Sequence, residues 1–347
     1  MDNLSQTIID FVMCEGFTCA AGIATMETLA GGPPTSDITY VLPGAKSAIS
    51  FAIALDQSLI EPFLSKKDRR SYQHDHIHAH YLSSGLSFEL ASHLEQRGYP
   101  SRPLNSNNSY RTDASPGGPF DVIPDISLRY LAVASGVASF GLSGNVLRKK
   151  EGAAIVLGGV VTSAELEPTP PLPAEENYCD ACRLCIASCA SGLMDPEEEA
   201  RVTLGGREHT YSKRRSNLRC EYVCGGFTGL HQSGKWSTWS PGRLPIPETD
   251  EEFMGALAHG IEVYYQRPLL DGGFYSPLLD KRLGLTCGNC QIVCVADKEE
   301  RKRRYKMLTS NGCVVQNPDG SLEVLAPQEA SERLAAMSAK ARALYEV

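Results

Sequence analysis

No window of the 347-residue chain approaches 18 uninterrupted apolar residues, which excludes a membrane-spanning helix, and the mean hydropathy is only -0.20. The N-terminus, MDNLSQTIID, has no basic start, no twin arginine and no apolar stretch ending in small residues, so no export signal is read and the expected location is the cytoplasm, with no membrane partner. A positive balance is absent too. The net charge of -8 argues against clamping long stretches of nucleic acid. Internal repeats and low-complexity tracts are missing. With 42% hydrophobic and 21% charged residues, the chain has enough apolar material for one large or two ordinary cores and is not a disordered tail.

Cysteine, in contrast, is plentiful. Twelve cysteines fit poorly with disulfides in a reducing compartment, and nine of them fall in short, metal-like spacings. Cys179, Cys182, Cys185 and Cys189 form a C-x2-C-x2-C-x3-C run. Three thiolates at that spacing wrap one corner of a cubane iron–sulfur cluster, while the fourth ligates the other cluster of a two-cluster ferredoxin. A second block is therefore expected, and Cys287, Cys290 and Cys294 (CGNCQIVC) provide it, with Cys220 between the two in NLRCEYVC. The exchange rule gives Cys179, Cys182, Cys185 with Cys294, and Cys189, Cys220, Cys287 with Cys290, hence two [4Fe-4S] clusters. Cys224 competes with Cys220 for the last position. Zinc also takes four thiolates, but usually through C-x2-C pairs separated by a longer loop. Cys14, Cys19 and Cys313 read as buried structural thiols.

Along the chain, residues 1–165 read as an α/β unit. Ile8, Ile9, Phe11 and Val12 mark an opening helix, and Ala48–Leu55 a buried strand. Leu82, Leu86, Leu90 and Leu94 lie in a long helix from Arg69 to Arg97 that stops at Gly98. Ser101–Pro119 reads as a loop of the kind that binds substrate, Ile126–Ala138 as a small-residue helix, Gly141 and Gly144 as a tight turn, and Ala153–Val161 as a second buried strand. The proline-rich Glu165–Pro173 is the expected domain boundary. Residues 174–300 then carry the cysteines and an irregular insertion around Lys235–Pro247. A helical tail, 301–347, contains an amphipathic helix over Pro327–Tyr345.

The three cysteine blocks, taken with ISLRYLAVASGVASFGLSGNVLRKKEGAAIVLGGVVTSAEL (Ile126–Leu166) and LPGAKSAISFAIAL (Leu42–Leu55), resemble the epoxyqueuosine reductases and, more distantly, the reductive dehalogenases. Both are cobalamin-dependent iron–sulfur enzymes. The resemblance implies an α+β protein: a nitroreductase-like domain holding a corrinoid, followed by a bacterial ferredoxin-like domain whose clusters feed electrons to cobalt. Gly136, Ser139, Gly141, Gly144 and Asn145 are the implied corrinoid contacts. The family's Asp-Ser-Ala-Pro tetrad is missing here. Asp125 and Tyr130 are the candidate proton donors, with Tyr110 and Asp121 nearby. The implied partners are a small electrophilic substrate and an electron donor such as ferredoxin or flavodoxin. Only about fifty residues follow the clusters, where tRNA-acting members carry a helical repeat region, so tRNA is the less favoured substrate. A reading from another class is an electron-transfer protein that reduces a partner and has no substrate chemistry of its own.

Three further features have ordinary readings. His74, His76, His78 and His80 alternate at the start of the long helix and read as solvated or core histidines rather than a metal site. Arg301, Lys302, Arg303, Arg304 and Lys306 read as the solvated face of a helix. Trp236, Trp239 and Phe227 read as packing residues.

Overall fold

The computed structural model describes residues 3–105, 110–112, 123–249, 252–269 and 286–346. The first half builds α1 (Asn3–Met13), β1 (Thr18–Thr25), β2 (Ser47–Ala54), α2 (Ile60–Leu64), α3 (Arg70–Gln96), β3 (Ser101–Leu104), α4 (Leu128–Ala134), β4 (Ser139–Phe140), β5 (Val146–Leu147) and β6 (Ile155–Thr162). Four strands form one sheet in the order β1-β2-β6-β3, every neighbouring pair antiparallel. Its two faces follow from the period of two along β2. Ile49, Phe51 and Ile53 meet Ile8 and Val12 of α1 and Leu86, Leu90 and Leu94 of α3, whereas Ala48 and Ala52 meet Leu131, Ala132 and Val133 of α4. Small residues on that second face let α4 approach the sheet closely. Burying each leucine of α3 contributes about 1.5–3 kcal/mol.

α3 runs 27 residues, and Gly98 ends it at φ +88 while Tyr99 N–H donates back to the Leu94 carbonyl. Two expectations for this half are corrected. Ser101–Leu104 is not loop but edge strand β3, paired to β6; of the rest of the expected substrate loop, residues 106–109 and 113–119 lie outside the described residues, as does Asp121. The small-residue helix is shorter than Ile126–Ala138. Ser127 is still extended at ψ 104, and Gly136 turns left-handed at φ +70, so only Leu128–Ala134 is helical.

The proline-rich segment is a strap rather than a free linker. Thr169 N–H bonds the Ile23 carbonyl at 3.0 Å, its hydroxyl reaches the Ser135 carbonyl, and Glu167 N–H bonds Ser5 Oγ at 2.9 Å. Prolines that cannot join a ladder leave side chains and isolated amides to make these ties.

The second half contains α5 (Leu184–Ala187), β7 (Met194–Leu204), β8 (Arg207–Arg214), α6 (Asn217–Cys224), α7 (Phe253–Tyr264), α8 (Asn289–Ile292), α9 (Lys298–Ser310), β9 (Cys313–Gln316), β10 (Leu322–Leu325), α10 (Pro327–Ala335) and α11 (Ala339–Arg342). The tail is therefore two short helices, separated at Ala336–Ser338, where Ser338 caps the second. The expected boundary at 300 falls inside α9. β7 and β8 make a hairpin, with Gly205 and Gly206 at its tip both at positive φ. The insertion has no long element, but Trp239 is buried and its Nε1 donates to the Phe63 carbonyl of α2 at 3.1 Å. Among the described residues, no helix is long and apolar enough to cross a membrane.

Candidate metal centre

The cysteine runs sit where short helices begin and end. Cys179 and Cys182 precede α5, Cys185 lies in it, and Cys189 follows. Ala181 and Arg183 take positive φ values of 54 and 64, and Gly288 takes 106 in the second block. Alternating left- and right-handed residues turn successive amide N–H groups toward a common centre, a concavity suited to anionic sulfur.

The sulfurs stand in two groups. Burial pushes Cys185 up to about 12, followed by the charges of Cys294, Cys179 and Cys182. These four border a recess of about 320 Å³, measured to its open mouth, together with Leu142 and Arg301. Leu142 N–H donates to Cys179 Sγ at 3.3 Å and Arg301 Nη1 donates to Cys182 Sγ at 3.1 Å. Tyr178 Oη lies 3.5 Å from Cys294 Sγ and donates to that residue's carbonyl at 3.2 Å. Arg301 is thus no solvated side chain. It is 3% exposed and pairs with Asp180 at 2.6 Å, because the turn before α5 places that carboxylate between Arg301 and Lys298. Arg304 is buried as well, donating to the Ile292 carbonyl at 2.8 Å. Only Lys302, Arg303 and Lys306 of that run face outward.

In the second group, burial raises Cys189 and Cys290; the charges of Cys220 and Cys287 act on both, and that of Cys189 on Cys290. Ser191 Oγ lies 3.2 Å from Cys189 Sγ, and Asn145 Nδ2 donates to Cys290 Sγ at 3.6 Å. A fifth thiol joins them. Cys224 Sγ is 3.6 Å from Cys220 Sγ and also hydrogen-bonds Cys287. Those two bonds and burial hold the Cys224 thiol well above its ordinary value, while its donation, then the Asn289 and Gly288 amides, bring Cys287 down to about 7 against burial. Among the described residues, no three His, Cys, Asp or Glu side chains are gathered to hold a single metal ion. The buried donors without a partner include the Tyr72 hydroxyl, on which burial acts first, then the charges of Asp75, Cys287, Cys290 and Cys224, and the amide of Asn289, which stands between Cys287 and Cys290 in the chain. An unsatisfied buried donor costs about 1–3 kcal/mol, and cluster sulfides are acceptors. Thiolates with N–H donors around them fit an iron–sulfur cluster.

The implied corrinoid residues are closely packed on the side where a side chain would project. A Cβ on Gly136 would meet the Pro170 carbonyl of the strap at 2.1 Å, one on Gly141 the Leu147 side chain at 2.7 Å, and one on Gly144 the Tyr211 ring at 2.9 Å. Ser139 is paired in the β4–β5 ladder, and the Asn145 amide is held between Cys290 and Arg214. Gly141 also lines the recess bordered by Cys179, Cys182, Cys185 and Cys294, and Gly136, Ser139 and Asn145 are half-buried.

Of the proton-donor candidates, Asp125 is half-buried and burial raises its carboxyl. It does not cap α4, whose N-cap is Ser127; Asp125 accepts from Ile126 N–H at 2.7 Å instead. Tyr130 is buried with its hydroxyl 3.0 Å from that of Tyr211, and burial pushes its phenol up. Tyr110 bridges to Pro124. Along α3, the His76 and His80 rings lie 4.7 Å apart and tilted by 48°, while His74 and His78 are exposed on another face. Of the lone thiols, Cys313 is buried and Cys14 is exposed rather than buried, because it follows the last turn of α1.

No protein-family profile matches the chain. Over 201 residues it is 27% identical to the epoxyqueuosine reductase of Gloeobacter violaceus, covering 57% of each chain. The chain is similar to the epoxyqueuosine reductases. It spans only about half the length of that curated relative. A solved epoxyqueuosine reductase from Bacillus subtilis overlays 97% of this chain on 73% of its own at 15% identity and a TM-score of 0.45. A catabolic reductive dehalogenase overlays 94% on 36% at 11% identity and a TM-score of 0.44. The likeness rests on the sequence match, since neither overlay reaches the level of a shared fold.

Sequence reasoning missed Arg301, Tyr178, Asp180 and Tyr72. Tyr178 and Asp180 flank Cys179 in the chain, a signal within reach, but nothing in the sequence links Tyr72 to cysteines 150 or more residues away.

Proposed function

We propose that the chain is an iron–sulfur reductase of the epoxyqueuosine reductase type, with a nitroreductase-like region over 1–165 and a ferredoxin-like region over 174–300. One [4Fe-4S] cluster would be held by Cys179, Cys182, Cys185 and Cys294, the other by Cys189, Cys220, Cys287 and Cys290. The observation that carries this reading is that Cys179, Cys182 and Cys185 border one recess with Cys294, more than 100 residues away, while Cys189, Cys220, Cys287 and Cys290 act on one another through their charges. When bound, the clusters supply single electrons at low potential. The chain's own residues hold the thiolates in place: Leu142 and Arg301 donate to the first group and Asn145 to the second. A donor such as ferredoxin or flavodoxin and a small organic electrophile complete the reading.

Cobalamin comes with the sequence likeness. The close packing that a Cβ at Gly136, Gly141 or Gly144 would meet favours a second reading, an electron-transfer protein that reduces a partner.

Anaerobic purification with iron quantitation, and a spectrum before and after adding and removing hydroxocobalamin, separates the two. About eight irons with one retained corrinoid per chain supports the reductase; about eight with none supports electron transfer alone. Far fewer than eight irons overturns both.

A further inference from the structure

The second group of sulfurs has one member too many. A [4Fe-4S] cluster takes four protein thiolates, and Cys189, Cys220, Cys287 and Cys290 already make four. Cys224 stands one helical turn from Cys220 on α6, on the same face, because residues four apart are neighbours on a helix. Its Sγ is 3.6 Å from Cys220 Sγ and is hydrogen-bonded to Cys287 as well, so it touches two of the four sulfurs. A helix can therefore present either thiol to the same corner of the site with a side-chain rotation and no movement of the backbone.

We propose that Cys224 is a reserve ligand of the second cluster, able to replace Cys220 on the same iron. This rests on the two-cluster reading above. The exchange is balanced: the Cys224 thiol gives up its proton as its sulfur–iron bond forms, and Cys220 takes up a proton as its bond to that iron breaks. Charge and oxidation state are unchanged and no oxidant is needed. Cys224 serves as a thiol donor to Cys220 and Cys287 while Cys220 is bound, which gives it a place in the site in either state.

The test is iron content and the electron paramagnetic resonance spectrum of the reduced protein, for the full chain and three variants purified anaerobically. Cys220→Ala and Cys224→Ala each retain about eight irons, and Cys220→Ala alone shows a changed signal from one cluster; the Cys220→Ala/Cys224→Ala double variant falls to about four. The four irons left on the first group show that the double variant is folded. Cys220→Ala at about four irons overturns the proposal, as does Cys224→Ala at about four, or a double variant that keeps eight. Wild-type chain with fewer than eight irons overturns the two-cluster reading itself, an outcome distinct from any of these.

Discussion

Asn145 donates from its side-chain amide to Cys290 Sγ at 3.6 Å. Three residues earlier in the same turn, the amide of Leu142 donates to Cys179 Sγ at 3.3 Å. The tight turn between β4 and β5 thus touches both groups of sulfurs, and Arg214 fixes it by donating to Asn145 Oδ1 at 2.6 Å. Leu142 contributes only backbone, whereas Asn145 contributes a side chain that substitution can remove.

Asn145→Leu keeps the size of the side chain and removes the donor to Cys290. A hydrogen bond to a thiolate favours the more negative, reduced cluster, so its loss lowers the potential of one cluster only. Redox titration followed by paramagnetic resonance should show one midpoint moving to more negative values. Two unmoved midpoints would dissociate Asn145 from the second cluster.

Arg301→Met removes a buried guanidinium that bridges Cys182 and Asp180. A hydrogen bond to a charged group contributes about 1.5–3 kcal/mol. The expected result is a first cluster that is lost more readily, with iron falling from about eight toward about four per chain on exposure to a chelator, while the second group keeps its share. Equal loss from both clusters would count against the assignment.

Gly136→Ala meets two obstacles at once. Its φ of +70 strains any L side chain, at about 1–2 kcal/mol, and the new Cβ would lie 2.1 Å from the Pro170 carbonyl. The strap must shift, so chemical unfolding should show a loss of more than about 2 kcal/mol. A change within about 0.5 kcal/mol would mean the strap is not held there.

Burial, and then the neighbouring charge of His80, holds the His76 imidazole down at about 3. The unfolded chain protonates this histidine near its ordinary value of about 6.5, while the folded chain does not. Below that value the unfolded state binds more protons, so stability falls as the pH drops from about 6.5 toward 3 and is unaffected by His76 above it. Urea unfolding at a series of pH values should show that slope, and His76→Phe should flatten it.

How much of this was readable in advance depends on range. The 27-residue helix is legible because leucines four apart and a stopping glycine are local signals, and the two inner strands because eight-residue apolar runs have no other use. Edge strand β3 was read as loop, since Pro103 and Arg102 carry no apolar alternation and only pairing with β6 makes them a strand. The basic run after the second cysteine block reads as solvent-facing from composition, and only the approach of Asp180 and Cys182 turns Arg301 inward.

The sequence by itself determined which cysteines are candidate ligands, because spacing is a covalent property of the chain: sulfurs three residues apart can reach one small volume whatever surrounds them. Only the tertiary structure decided which groups stand beside those sulfurs. Asn145, Arg301 and Tyr72 come to them through packing between distant segments, and the strap, Leu147 and Tyr211 pack against Gly136, Gly141 and Gly144. Contacts of that kind are set by which faces bury against each other, and a linear pattern does not record them.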